Sequence, residues 1–187
     1  MVRTVVLGRF QPFHRGHAGM VKAALAHADS DEVVIAIGSS KAEASMRNPW
    51  SAAEREAMIR AWAAGACTEV EAARLTYCHV PDINDPPAWV KHATTFHGEG
   101  DLLTSDEDTA VLYEADGWTV VRVPLEARRD REGWRVRETA RMLSTVADDD
   151  AVRTVLGPNV PGSVIEWLIE HDALYRLSLL HEGAVVG

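Results

Sequence analysis

Apolar positions change period repeatedly along the chain, and the changes divide it into alternating strands and helices. Residues 2–7, "VRTVVL", are β-branched and read as a strand. In residues 17–28, Met20, Val21, Ala24, Leu25 and Ala28 recur at helical spacing. "EVVIAIG", 32–38, is an unbroken apolar run closed by glycine, the pattern of a strand covered on both faces. Ser51 and Glu54 stand as a capping box before a helix that Gly65 is expected to end. A third strand follows at 74–80 and a proline-opened helix at 86–96. Strand 101–105, helix 107–117 and strand 118–123 come next, then a helix from about Val136 to Val146, with more helix over 151–180.

This βαβαβαβαβ order predicts an α/β fold, a five-stranded parallel sheet with helices on both faces and a helical C-terminal extension. It reads as one domain over 1–187, core 1–145 and extension 146–187. Composition adds boundaries. At 187 residues, 47% hydrophobic, the chain is large enough for a core without staples. There is no long apolar run for a membrane span and no signal-peptide pattern. Cys67 and Cys78 lack metal-site spacing, which suits a reduced, cytoplasmic setting and argues against zinc. A net charge of −9 argues against a nucleic-acid partner. An anionic small ligand then needs a locally basic pocket.

Open parallel sheets bind ligands beyond the C-terminal ends of their strands. Gly8-Arg9, Gly38-Ser39-Ser40, Pro81-Asp82-Ile83-Asn84, Thr104-Ser105-Asp106, and Arg128, Arg129 and Arg131 all fall there. "GRFQPFHRGHAGM", Gly8 to Met20, is the densest case, with Arg9, His14, Arg15 and His17 in one turn. His14 and His17 open a helix three residues apart, and Gly16 permits close approach to the backbone. The helix N-terminus favours phosphate. Neither GxGxxG nor GxxxxGK[ST] is present. The run Arg128 to Arg137 lies at the same edge, and Arg137 is its chosen member. Trp50, Trp62, Trp118, Trp134 and Trp167 read as core or interface aromatics; the other six histidines carry no partner pattern.

"GRFQPFHRGH" resembles the first motif of the HxGH nucleotidyltransferase superfamily, and "IGSS" with "MRNPWSAAEREAMI" resembles the archaeal-type nicotinamide mononucleotide (NMN) adenylyltransferases. "VPDI…W" at 80–89 is also similar to that family, and the likeness covers roughly residues 2–145. It implies a Rossmann-like nucleotidyltransferase fold and synthesis of NAD⁺ and pyrophosphate from ATP and NMN. In that reading His14, His17, Arg47 and Arg137 are catalytic, and Gly8, Arg9, Phe10, Gly16 and Val136 bind the nucleotide. Ser39, Ser40, Ile83, Asn84, Trp89 and Asp106 bind the acceptor, with Trp89 stacked on the pyridine ring. Mg²⁺ is held mainly by phosphates, and a homo-oligomer is implied. Three positions depart from the family pattern. Trp134 stands for a threonine in "GWRVR", Pro86 lies near an expected asparagine, and "TSDE" at 104–107 brings two acids toward the acceptor. ATP or CTP with another phosphate or phosphonate acceptor, and a non-catalytic nucleotide sensor, remain open alternatives.

Overall fold

A computed structural model describes residues 2–27, 30–124 and 132–180. Its sheet consists of β1 (Arg3–Gly8), β2 (Glu32–Ile37), β3 (Leu75–His79), β4 (Asp101–Thr104) and β5 (Val120–Arg122). All neighbours pair in parallel, in the order β3-β2-β1-β4-β5. The expected α/β fold and its helical extension are what the structure contains.

The continuous apolar run of β2 follows from burial on both sides. Val33, Ile35 and Ile37 join one core and Val34 and Ala36 the other. Val6 and Val5 divide in the same way on β1, and Leu103 and Leu102 on β4. Successive side chains of a strand point to opposite faces, so two covered faces require apolar residues at every position.

The larger core lies under α1 (Arg15–Ala26), α2 (Ala52–Ala66) and the helices after β5. These are α6 (Gly133–Met142), α7 (Asp149–Leu156), α8 (Gly162–Glu170) and α9 (Arg176–Leu179). Val152, Leu156, Ile165, Leu168 and Leu177 of the extension are buried in that same core. The smaller core lies under α4 (Trp89–His97) and α5 (Glu107–Ala115).

Several boundaries differ from the expectations. Gly65 does not stop α2, which runs to Ala66; the Cys67 N–H closes on the Ala63 carbonyl instead. A short α3 (Glu69–Ala73) then begins, with Thr68 and Glu71 in a reciprocal capping box. That box is a legible T-x-x-E signal which the periodicity of so short a segment cannot carry. Pro86 opens a 3₁₀ turn, Pro86–Ala88, and the α-helix proper starts at Trp89. Ala28, Arg128, Arg129, Arg131 and His181 lie outside the described residues.

Candidate active site

The C-terminal ends of four strands enclose a cavity of about 480 Å³. Leu7, Gly8 and Arg9 come from the end of β1, and Gly38 and Ser39 from the end of β2. Asp82 follows β3, and Thr104, Ser105, Asp106 and Thr109 follow β4. His17 and Met20 of α1, Arg47 and Trp89 complete the wall. A larger open depression, about 600 Å³, lies at the opposite end of the sheet. It presents Glu99, Asp101 and Asp116 against Lys91 alone, so its charge is wrong for an anion.

The two histidines form an unusual helix cap. His14 is the N-cap of α1, and its Nδ1 accepts the Gly16 N–H at 3.2 Å. The Nδ1 of His17 accepts the His14 N–H at 3.3 Å. Two orphan donors of the helix end are thereby satisfied reciprocally, with imidazoles in the usual places of serine and glutamate. An Nδ1 that accepts carries no proton, so each neutral ring carries its proton on Nε2. The rings stack at 3.6 Å, and the Phe10 ring meets His17 edge-on at 4.8 Å. Burial and the neighbouring His14 push the His17 pKa well below its ordinary value. His17 is therefore neutral, as an Nε2–H donor on the cavity wall. His14 is 4% exposed and lies behind it.

The arginines crowd the same space with few acids to balance them. Burial, then repulsion from Arg47, lowers the pKa of Arg9, while Asp82 acts against the shift. The Nη1 of Arg9 is buried and has no hydrogen-bond partner among the described residues. Arg137 is pushed down to about 10 by burial and by Arg9 and Arg47. Its Nη1 donates to the Gln11 carbonyl at 2.8 Å. Arg47, Arg137, Met46, Trp134 and Glu138 line an adjoining groove of about 220 Å³. Guanidinium groups that repel one another at the end of a parallel sheet form a site short of negative charge, the electrostatic complement of a polyphosphate.

Arg55 holds the backbone of this site together. It is 1% exposed and donates to four carbonyls: Arg9 at 2.6 Å, Gly38 at 2.7 Å, and Ser39 and Ser51 at 3.2 Å each. Its main work is to tie the loop after β1 to the loop after β2. Both loops carry left-handed residues without glycine, Phe10 at φ 53° and Ser39 at φ 49°. Gly8 is closely approached: a Cβ there would meet the buried Phe10 ring at 3.0 Å.

The expected residues therefore separate into groups. Gly8, Arg9, His17, Ser39, Arg47, Trp89 and Asp106 meet in the cavity. Phe10 is 1% exposed; its ring packs on His17 and does not line the cavity. Gly16 is buried at the start of α1. Val136 is 2% exposed, and its N–H bonds the Glu132 carbonyl, so it supports α6 and offers the cavity nothing. Ser40, Ile83 and Asn84 are outside the cavity lining, and the Ser40 N–H is bonded to the Val80 carbonyl. Glu107 turns away from the cavity onto Arg122, at 3.0 and 2.9 Å. Asp106 stays at the wall as the N-cap of α5, one oxygen accepting from the Thr109 N–H and hydroxyl. The two acids on the cavity wall are thus Asp106 and Asp82 rather than Asp106 and Glu107. Trp134 is 52% exposed rather than core. Asp82, Thr104 and Ser105 stand at strand ends, the one positional signal from which they were legible.

Residues 5–124 match the family model of cytidylyltransferase-like proteins. The chain is 32% identical over 180 residues to a nicotinamide-nucleotide adenylyltransferase of Methanolobus tindarius, covering 95% of this chain and 93% of that one. It is 34% identical over 179 residues to one of Haloarcula marismortui, covering 94% and 85%. Among solved structures it is similar to a bifunctional NMN adenylyltransferase/ADP ribose pyrophosphatase of Francisella tularensis complexed with AMP and a manganese ion. That likeness has a TM-score of 0.69 at 18% identity and covers 95% of this chain; the chain spans about half, 52%, of the bifunctional protein.

Proposed function

The chain belongs to the cytidylyltransferase-like family, among the nicotinamide-nucleotide adenylyltransferases, and on that premise we propose that it joins ATP and NMN into NAD⁺ with release of pyrophosphate. The observation that carries this reading is the convergence of His17, Arg9, Arg47 and Arg137 on one sheet end, where Asp82 offsets Arg9 and Glu138 offsets Arg137. A phosphate oxygen of NMN attacks the α-phosphorus of ATP in line. The new P–O bond forms as the bond to the pyrophosphate oxygen breaks. No protein nucleophile is needed, so catalysis rests on positioning and on charge stabilisation. Nε2–H of His17 donates to the oxygens that gain charge at the α-phosphate, and phosphate nearby favours protonation of the ring. Arg9, Arg47 and Arg137 hold the β- and γ-phosphates and stabilise the departing pyrophosphate.

No group of three or more His, Cys, Asp or Glu side chains among the described residues is arranged to hold a metal. The divalent ion, Mg²⁺ in this reading, enters as part of the MgATP substrate, where it neutralises phosphate charge. At the acceptor end Trp89 offers a face for the pyridinium ring, and Asp82 and Asp106 attract that cation. Both acids disfavour a ring carboxylate, so NMN is preferred to its nicotinic acid counterpart.

The test incubates the purified protein with MgATP and NMN and follows NAD⁺ and pyrophosphate, with CTP and the nicotinic acid nucleotide as parallel arms. NAD⁺ and pyrophosphate in equal amounts, abolished by chelation of the metal, support the reading. Absence of pyrophosphate with every phosphorylated acceptor refutes it.

A further inference from the structure

The segment between β2 and α2, residues 38–51, contains no helix or strand and carries Arg47 exposed on the cavity wall. Left to itself, such a segment would lose conformational entropy each time it ordered around a ligand. Its C-terminal base is instead gripped by α9 and the turn before it. Trp50, 1% exposed, donates its Nε1–H to the Ala173 carbonyl at 3.0 Å. Arg176 donates to the Pro49 carbonyl at 3.3 Å and forks onto Glu54 at 2.6 and 3.0 Å. Glu54 also accepts the Ser51 N–H at 2.8 Å, so one carboxylate joins the extension to the first turn of α2. Burial alone would raise the Glu54 pKa; bonds from Arg176 and Ser51 hold it below its ordinary value.

The same base is tied to the histidine turn. The Gln11 side chain brackets the Trp50 backbone, donating to its carbonyl at 2.8 Å and accepting its N–H at 3.1 Å. The Gln11 carbonyl is the one that receives Arg137. A second contact reaches the turn directly. The Arg15 N–H donates to the Asn159 carbonyl at 2.8 Å, and its guanidinium donates to the Gly157 carbonyl at 3.0 and 2.9 Å. Arg15 thus faces the extension, while Arg9 and His17 of the same motif line the cavity. No described residue of the extension lines that cavity.

We propose that the C-terminal helices act as a clasp that sets the place of Arg47, with Arg176 and Glu54 as the positioning residues. The proposal rests on the adenylyltransferase reading for its kinetic arm only. A partly exposed ion pair contributes little to stability. Misplacing a phosphate-binding cation by an ångström costs rate far out of proportion to that.

Three full-length variants test the clasp. Glu54→Gln keeps an acceptor for the Ser51 N–H and removes only the charged fork. Arg176→Ala removes the whole contact, and Arg176→Lys restores its charge. Steady-state kinetics with each substrate varied in turn are paired with calorimetric titration of MgATP. Glu54→Gln and Arg176→Ala are expected to lower kcat/KM for ATP about tenfold and to weaken MgATP binding, with KM for NMN held within about twofold. Arg176→Lys is expected to recover most of the loss. Variants with unchanged circular dichroism and unchanged MgATP affinity overturn the proposal, as does an equal rise in KM for both substrates. If Arg176→Ala fails to fold, Glu54→Gln decides. If the wild-type protein makes no pyrophosphate, the calorimetric arm still reads the clasp, so the two failures are distinguishable.

Discussion

Replacing Arg55 by methionine tests the frame of the cavity most directly. The guanidinium donates to the carbonyls of Arg9, Gly38 and Ser39, two of them at 2.7 Å or less, from a side chain 1% exposed. Charge-assisted bonds contribute about 1.5–3 kcal/mol each, so three amount to about 5–9 kcal/mol. Against this, burial and the repulsion of Arg9 push the Arg55 pKa down to about 10. That shift reports about 3 kcal/mol of opposing desolvation and charge repulsion. The difference is a net loss of about 2–6 kcal/mol, with three carbonyls left without this donor. For a chain of this length each kcal/mol moves the melting point by about 2–4 °C, so Arg55→Met is expected to melt about 10 °C lower. Arg55→Lys, whose ammonium reaches fewer carbonyls from one point, is expected to fall between. Thermal unfolding followed by circular dichroism reads both. A methionine variant melting within about 2 °C of wild type would refute the assignment of Arg55 as the tie between the two loops.

Other expectations follow from the same geometry. His17→Asn keeps an acceptor at the third helical position and removes the ring donor; kcat is expected to fall at least about a hundredfold with MgATP affinity within about fivefold, read by turnover and calorimetry. His17 and His97 both have pKa values lowered by burial, so both are neutral when folded. The unfolded chain takes up their protons first, so this stability is fully present above about pH 6.5 and declines as pH falls, by up to about 1.4 kcal/mol per unit for each. Urea titrations at pH 7 and 5.5 are expected to show His17→Asn losing about 1 kcal/mol less than wild type over that interval; equal losses would contradict the buried neutral ring. Asp106→Asn preserves the α5 cap and removes a charge from the acceptor end, so the preference for NMN over its nicotinic acid counterpart is expected to narrow about fivefold in competition assays; an unchanged ratio would place the discrimination elsewhere.

What could be read locally was read from features within a few residues of one another. The alternation of strands and helices, the Ser51–Glu54 box and the apolar run of β2 each record a neighbour-scale rule, and each appears in the structure. The position of the site was equally legible, because parallel topology places every strand's C-terminal end on one edge. What each residue does at that edge was less so. Asp106 and Glu107 are adjacent in sequence, yet one caps a helix at the cavity wall and the other turns to Arg122. The first helical turn rotates successive side chains by about 100°, and only the partner waiting in space selects which one faces the cavity.

Sequence by itself determined the sheet, its covered faces and the basic turn at Gly8 to Met20, since each depends on residue types at short, regular spacing. Tertiary structure alone decided that Arg15 serves the extension, that Arg55 ties two loops, and that Arg176 reaches the base of the Arg47 segment. These contacts join residues separated by 142, 46 and 122 positions. A guanidinium carries no mark of its acceptor, and carbonyl groups occur at every residue, so no local pattern records such a pairing. Only the packed core brings the partners within hydrogen-bond distance.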